Sequence, residues 1–315
     1  MQSKKKLISI VVPTHNEVEN INVLYERISV TFEKIDYKFE VIFVDDSQDG
    51  TPEVIHKLIE ENKNVTIVRL TRSFGQTAAI SAGLEIVRGS AAVIMDADLQ
   101  DPPEAIPLFL AEWEKGTSVI YAMRPSSGSI TYRILANAFY RAQKKLSDTT
   151  VPVNAGEFRL IDDRVLNFLR KLPEQGRYLR GQTLWPGFSS KGIDIVRQNR
   201  VHGKTKYDFS RSLSVAKEGI VSFSLTPLRM ALKLSLFISV FIILVALFFL
   251  VYRILSPESF SAGWAGLFIT ILTMTAINLF TIGVLGEYIG AIYREVLRRP
   301  KYLIDYVYPK TFYRD

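Results

Sequence analysis

Two carboxylates one residue apart, Asp96 and Asp98, with an amide just beyond at Gln100, are the side chains of this sequence best suited to chemistry. They follow an apolar run, Ala91 to Met95, that has the length and composition of a buried strand. In an open α/β sheet, ligands collect at the carboxyl ends of the strands. Two acids and an amide oxygen placed there could hold a hard divalent cation, and that cation could bind a phosphate. Pro102 and Pro103 then close the turn and open a helix, because proline suits the first helical position. A solvated acidic turn is the plain alternative, since an Asp-x-Asp triplet alone is a weak signal. Its position behind a buried strand is what raises it.

The same arrangement repeats upstream. Leu7 to Val12 is a continuous Ile/Val-rich run ending at Pro13-Thr14-His15-Asn16-Glu17, and Asn16 is expected to cap a helix running to about Phe32. Phe39 to Val44 ends at Asp45-Asp46-Ser47-Gln48-Asp49-Gly50-Thr51. Val65 to Leu70 ends at Arg72-Ser73-Phe74-Gly75, with a helix from Gln76 to about Val87. Strands alternating with helices predict a parallel α/β sheet, and each of the four strands closes on polar residues able to bind a ligand. Further on, Thr117 to Ala122 reads as a fifth strand ending at Met123-Arg124. Ile130 to about Leu146 reads as a helix with Arg133, Asn137 and Arg141 along one face, a stripe that solvation alone would explain equally well. Val151 to Glu157 reads as loop, Phe158 to Ile161 as strand, and Asp162 to Leu172 and Arg177 to Trp185 as helices.

Several chemistries are excluded. The chain has no cysteine, hence no disulfide, thiolate metal site or thiol nucleophile, and its three histidines are scattered. It contains no Gly-x-Gly-x-x-Gly after a strand, no Walker loop and no Gly-x-Ser-x-Gly elbow. The formal charge of +7 calls for an anionic partner, but it is unevenly placed: eight Lys or Arg stand between Arg197 and Lys233 against Asp208 and Glu218. This cluster leads into a charge-free stretch, Leu234 to Tyr252. That favours a lipid phosphate over nucleic acid, for which no recognised module is present. Nineteen residues make a helix of about 28 Å, enough to span a bilayer, and Trp264 to Gly286 offers a second span of twenty-three. Arg229 and Lys233 before the pair, and Arg294, Arg298, Arg299 and Lys301 after it, place both ends on the cytoplasmic side. Before the first span, Leu213, Ala216, Ile220 and Phe223 share a helical face, as in a helix lying on a membrane surface. Gly286-x-x-x-Gly290 could pack helices in a homo-oligomer, or be incidental.

Five motifs then stand in a recognisable order: Pro13-x-x-Asn16-Glu17, Val44-Asp45-Asp46-Ser47-x-Asp49-Gly50-Thr51, Arg72-x-Phe74-Gly75, Asp96 to Pro103, and Phe158-Arg159-Leu160. From about Leu7 to Pro300 the chain resembles a family 2 polyprenyl-phosphate glycosyltransferase of the GT-A fold. It is closest to the bactoprenol glucosyltransferases and more distantly similar to dolichol-phosphate mannose synthase. The resemblance implies a mostly parallel sheet with helices on both faces, an amphipathic interface helix and a two-helix transmembrane hairpin. It implies a cytoplasmic catalytic domain over 1–210, with a nucleotide-sugar half at 1–120 and an acceptor half at 121–210. An interface helix at 211–230, spans within 231–287 (about 234–253 and 264–286) and a cytoplasmic tail at 288–315 would follow. The protein would then be a multi-pass enzyme of the cell inner membrane.

The resemblance also assigns roles. Pro13, Glu17, Asp45 and Asp46 would contact the base and ribose of a sugar nucleotide, with Asp96 beside them. Asp96, Asp98 and Gln100 would hold Mg2+ or Mn2+. Arg124, Arg133 and Asn137 would hold the acceptor phosphate, joined by Arg200, Lys204 and Lys206. The expected reaction is inverting transfer of a hexose, with glucose from UDP-glucose the first choice, to a polyprenyl phosphate such as undecaprenyl phosphate. Mannose, N-acetylglucosamine and aminoarabinose donors stay open. A lipid phosphate monoester is largely dianionic at neutral pH, so it needs no strong base to become a nucleophile. Glu157 stands where the family usually has Asp before Phe-Arg-Leu, which leaves open whether it acts as a base or only orients groups. Two rivals remain beside this reading. A processive polysaccharide synthase lacks support because no Gln-x-x-Arg-Trp motif occurs, and a non-catalytic nucleotide-binding adaptor sits poorly with an intact acidic triplet.

Overall fold

The computed structural model describes residues 5–123, 155–172, 179–196 and 264–309, together with single helical positions between 237 and 255. Eight strands form one sheet: β1 Leu7–Thr14, β2 Lys38–Asp45, β3 Val65–Leu70, β4 Ala91–Ile94, β5 Val119–Met123, β6 Ala155–Asp162, β7 Ser190–Asp194 and β8 Ile304–Tyr308. Their order is β7-β5-β6-β4-β1-β2-β3-β8. The block β4-β1-β2-β3 is parallel throughout, with Ile10 level with Val41 on one side and with Val93 on the other. β6 runs antiparallel to both β4 and β5, β7 is parallel to β5, and β8 is antiparallel to β3.

The unbroken apolar runs follow from burial on both faces. Ile8, Ile10, Val12, Val41, Phe43, Val93 and Met95 point into one layer. There they meet α1 (Ile21–Glu33), α2 (Thr51–Glu61) and α4 (Ile106–Glu114) through Leu24, Ile28, Ile55 and Phe109. Val11, Ile42, Val44, Ala92 and Ile94 point into the other. That layer holds α3 (Gln76–Ile86) and α5 (Asp163–Lys171), through Ile80, Leu84, Val165 and Leu169. The small residues of α3 let it lie close on the strands: a β-carbon at Gly83 would collide with Val11 and Val44. Helices therefore cover both faces of a mostly parallel sheet, as expected.

Some boundaries differ from the sequence reading. Asn16 does not cap α1, which starts at Ile21. It adopts a left-handed backbone at φ 59° instead, a conformation asparagine tolerates better than most residues, and ties two loops together. Residues 155–157, read as loop, already belong to β6, where Ala155 pairs with Met123 of β5. The helix expected over 177–185 is seen as α6, Leu179–Leu184.

The largest difference is at the carboxyl end. The second apolar helix does not stop at Gly286 but continues as α7, Trp264–Val296. The segment read as a tail then returns to the sheet as β8, with Val68 opposite Val307 and Arg69 opposite Tyr306. Over the described residues no helix is long and apolar enough to cross a membrane. The backbone of α7 is nevertheless helical for 33 residues, its first twenty-three are uncharged, and large apolar side chains along it, Leu279 and Ile289 among them, stand exposed. The interface helix and most of the first span lie outside the described residues.

Candidate active site

β1 is the strand from which the connections diverge. It leads through α1 to β2 on one side, while β3 returns through α3, across the other face, to β4 on its opposite side. The carboxyl ends of β1 and β4 therefore flank a topological switch point, where open α/β sheets bind ligands. The motifs of both strands end there. Asp96 and Asp98 leave β4, and His15, Asn16 and Glu17 leave β1.

On the β4 side, Asp98 is buried and its Oδ1 accepts the Gln100 backbone N–H at 3.1 Å. Leu99 between them takes φ 59°, a conformation that costs a leucine of order 1–3 kcal/mol and persists only where the surroundings enforce it. Here its side chain is buried in the core. Asp96 accepts a hydrogen bond from Gln76 Nε2 at 2.5 Å. Gln76 opens α3 directly after Gly75, whose φ of 91° suits glycine alone, so the Arg72-x-Phe74-Gly75 motif sets the start of a helix that reaches the acidic turn. The helix amino terminus carries partial positive charge, which favours a carboxylate beside it. Arg72 itself lies over the Phe74 ring at 4.1 Å.

On the β1–β2 side the two neighbouring acids have different environments. Asp45 is fully buried: Thr14 Oγ1 donates to it at 3.0 Å, Ser47 Oγ at 2.6 Å, and Arg69 pairs with its other oxygen. Asp46 is also buried, but its partner is the exposed His15, whose Nδ1 lies at 2.6 Å. Arg69 also donates to the Ser47 carbonyl at 2.6 Å. The Asn16 N–H bonds Ser47 Oγ at 2.8 Å, while Asn16 Oδ1 accepts from the Gln48 N–H at 3.0 Å. The Glu17 N–H reaches Thr51 Oγ1 at 3.0 Å, and Asn20 Nδ2 holds the Glu17 carboxylate at 2.6 Å. One hydrogen-bonded frame thus joins both loops, with Asp45 as its internal anchor, Asp46 buried under the exposed His15, and Glu17 partly exposed. Pro13 lies level with Val44 in the β1–β2 register, one step before the frame.

β6 brings a third acid. Its last pair with β4 joins Arg159 to Ile94, so in antiparallel register Glu157 falls level with Asp96. Arg180 of α6 donates to Glu157 Oε1 at 2.5 Å. Arg159 is 1% exposed and spends its guanidinium inward, on Thr183 Oγ1 at 2.8 Å and the Gly156 carbonyl at 2.7 Å. The arginine of Phe-Arg-Leu therefore fastens α6 to β6, which in turn sets Arg180 beside Glu157. Beside it, burial pushes the Tyr121 hydroxyl pKa up, against the opposing pull of Arg159.

Of the anticipated site residues, the structure gathers Pro13, Glu17, Asp45, Asp46, Asp96, Asp98, Gln100 and Glu157 along one edge of the sheet. Arg124, Arg133, Asn137, Arg200, Lys204 and Lys206 lie outside the described residues. Thr14, Ser47, Arg69, Gln76 and Arg180 were missed by sequence reasoning. Ser47 and Gln76 adjoin recognised motifs and could have been suspected from that; Arg69 and Arg180 come from elsewhere in the chain, and nothing local marks them. Among the described residues no cluster of three His, Asp or Glu could hold a metal ion.

A doubly covered, mostly parallel sheet with acids at its switch point defines an α/β fold whose ligand crevice lies at the carboxyl ends of β1 and β4. The model of "Glycosyl transferase family 2" matches residues 9–169, and the chain belongs to that family: it is a glycosyltransferase. An uncharacterized glycosyltransferase of Bacillus subtilis is 36% identical over 315 residues, covering 98% of this chain and 97% of its own. The SfII prophage-derived bactoprenol glucosyl transferase of Shigella flexneri is 35% identical over 300 residues, covering 94% and 97%. Among solved structures, glucosyl-3-phosphoglycerate synthase from Mycobacterium tuberculosis superposes with a TM-score of 0.50 at 16% identity, over 69% of this chain and 76% of that one. That likeness shows a shared GT-A-type fold.

Proposed function

We propose that the protein transfers a hexose, glucose from UDP-glucose by preference, to the phosphate of a polyprenyl lipid such as undecaprenyl phosphate, with inversion, at the cytoplasmic face of the cell inner membrane. The observation that carries this is the pair Asp96 and Asp98 just beyond the carboxyl end of β4, at the switch point beside β1. The acceptor is suggested by the Shigella relative, whose name is that of a bactoprenol glucosyl transferase. Mannose, N-acetylglucosamine or aminoarabinose donors would use the same machinery.

Asp96, Asp98 and Gln100 would hold Mg2+ or Mn2+. Such an ion takes one or two carboxylates and draws its remaining oxygens from substrate phosphates, so a pair of acids without a third suits it. When bound, the metal would stabilise negative charge developing on the departing diphosphate. Asp46 and Glu17, in the β1–β2 frame, would accept hydrogen bonds from ribose hydroxyls and ring N–H groups. Asp45 would act from behind, keeping that frame in shape. The lipid phosphate needs aiming more than deprotonation. Glu157, held by Arg180, is accordingly an orienting group, and Arg124, Arg133, Asn137, Arg200, Lys204 and Lys206 would bind the incoming phosphate.

Membrane attachment by a hairpin over about 234–253 and 264–286 is supported by two charge-free stretches and by exposed apolar side chains, including Phe237, Phe241, Leu244 and Phe248 on the first helix. Because β8 belongs to the catalytic sheet only eight residues after α7 ends, that end of α7 would lie on the catalytic side, and a chain anchored in this way would cross the membrane an even number of times. A homo-oligomer packed through Gly286 and Gly290 belongs to the same proposal. The test is incubation of purified protein with undecaprenyl phosphate and a panel of nucleotide sugars, with the product identified by mass. A polyprenyl-monophosphate hexose formed from UDP-glucose is expected. Absence of a glycolipid with every donor would overturn the assignment.

A further inference from the structure

The strand that follows α7 touches both elements that frame the β2 loop. Tyr306 lies level with Arg69 of β3, and Arg69 pairs with Asp45 and donates to the Ser47 carbonyl. On the other side of the loop, Tyr306 Oη meets His56 Nε2 of α2 at 3.0 Å, and the two rings stack at 5.8 Å. Tyr308 packs against the same histidine at 5.3 Å. The start of α2 supplies Thr51, which receives the Glu17 N–H and donates to Asp49 at 2.6 Å. Val307 is buried in the core opposite Val68, and the Thr71 N–H bonds the Leu303 carbonyl at 3.0 Å, so the strand is seated along its length.

We infer that β8, through Tyr306, is a positioning element of the donor site: it packs on Arg69 and on His56 of α2, and through Arg69 and the start of α2 it holds the β2 loop carrying Asp46, and the β1 loop carrying Glu17 that is bonded to it, in their binding shape. The inference deepens the proposed function and rests on its assignment of that loop to the nucleotide. It gives the segment after the membrane helix a role at the opposite substrate. The strand also caps the edge of β3, which otherwise would present unpaired backbone groups to water. Burial raises the Tyr306 hydroxyl pKa, so the phenol keeps its proton and can donate to His56.

The test compares the full chain with Tyr306→Ala, Tyr306→Phe and His56→Ala, and with a chain ending at Arg299, by titration with UDP and Mg2+ in detergent. Tyr306→Ala and the truncation are expected to weaken UDP about tenfold, a change of about 1.4 kcal/mol, while the KM for lipid phosphate stays unchanged. A synthetic peptide covering residues 300–315 should restore UDP affinity to the truncated chain, an effect that general destabilisation would not give. Unchanged UDP affinity in Tyr306→Ala, or loss shared equally by the lipid KM, overturns the inference. Should the truncated chain fail to fold, Tyr306→Phe, which removes one hydrogen bond, and His56→Ala, which also removes two ring contacts, decide by the same titration. If the wild type binds no nucleotide, the proposed function falls instead. Amide exchange at residues 14–17 and 45–49 then judges the strand, faster exchange in Tyr306→Ala supporting it and unchanged exchange refuting it.

Discussion

The two flanks of the switch point are built differently. From β1 to β4, each site residue stands at the end of its own strand and is placed by the strand, the turn and the next helix, all within a few residues. From β5 to β7, the site is assembled across distance: Glu157 on β6 finds Arg180 twenty-three residues on. Parallel β-α-β units deliver their carboxyl ends to one edge automatically, so a local motif suffices there. Antiparallel additions must be brought to that edge by long-range packing, as the buried Arg159 does when it ties α6 to β6. The first flank is suited to a fixed donor site. The second carries Glu157, the group proposed to orient the reaction.

The largest effect expected from this contrast is on the first flank. Asp98→Ala should lower turnover by about three orders of magnitude, because it removes both a metal-binding oxygen and the acceptor that shapes the Leu99–Gln100 turn. The protein should still fold and insert. Excess EDTA applied to wild type should reproduce the loss, and readdition of Mg2+ should reverse it. Full turnover in EDTA would remove the metal from the account of this site.

A smaller effect, of a different kind, is expected on the second flank. Arg180→Ala removes the shorter of two arginine contacts to Glu157, leaving Arg159 at 3.5 Å, without touching the strand-end acids. It should lower kcat by about ten- to a hundredfold, the range expected when an orienting charge-assisted bond is lost, and leave the UDP dissociation constant near its wild-type value. Arg180→Lys should recover part of the rate, since it keeps the charge but not the planar donor geometry. A loss of UDP affinity matching the loss of rate would show that the two flanks are not divided as drawn.

This division also explains what was legible in the sequence. Runs such as Leu7 to Val12 and Ala91 to Met95 announce buried parallel strands, and the polar residues after them are adjacent in sequence to the strands that place them. The acids at 45–46 and 96–98 were therefore readable as a group. Asp45 was not separable from Asp46, because only packing reveals that one is enclosed by Thr14, Ser47 and Arg69 while the other faces His15. Arg180 and Tyr306 carried no local mark. The return of residues 304–308 to the sheet was hidden for the same reason: a five-residue strand after a long apolar helix looks like a tail until an edge is available to receive it. Sequence reasoning gave Asn16 a helix cap because it weighs near neighbours, whereas the residue bonds to the loop of the next strand.

The smallest effect serves as a control away from both flanks. Arg27 of α1 grips Glu104 with two bonds, at 2.9 and 2.7 Å, linking α1 to the turn that begins α4. These bonds are the main cause holding the Glu104 carboxyl below its usual pKa, against the opposing effect of its partial burial. A carboxylate whose folded pKa is depressed contributes stability above its unfolded pKa and loses it as pH falls through the folded value. Glu104 is 54% exposed at its side chain, so solvent screening limits the contribution to about 0.5–1 kcal/mol. Arg27→Ala should accordingly lower the thermal midpoint by a few degrees at neutral pH. The difference from wild type should shrink as the pH drops below the ordinary carboxylate range, where the acid is protonated in both states. UDP affinity and turnover should be unaffected at neutral pH, because neither residue lies at the carboxyl edge of the sheet. A rate loss in Arg27→Ala comparable to that of Arg180→Ala would mean that the orienting effect assigned to the second flank is only general destabilisation.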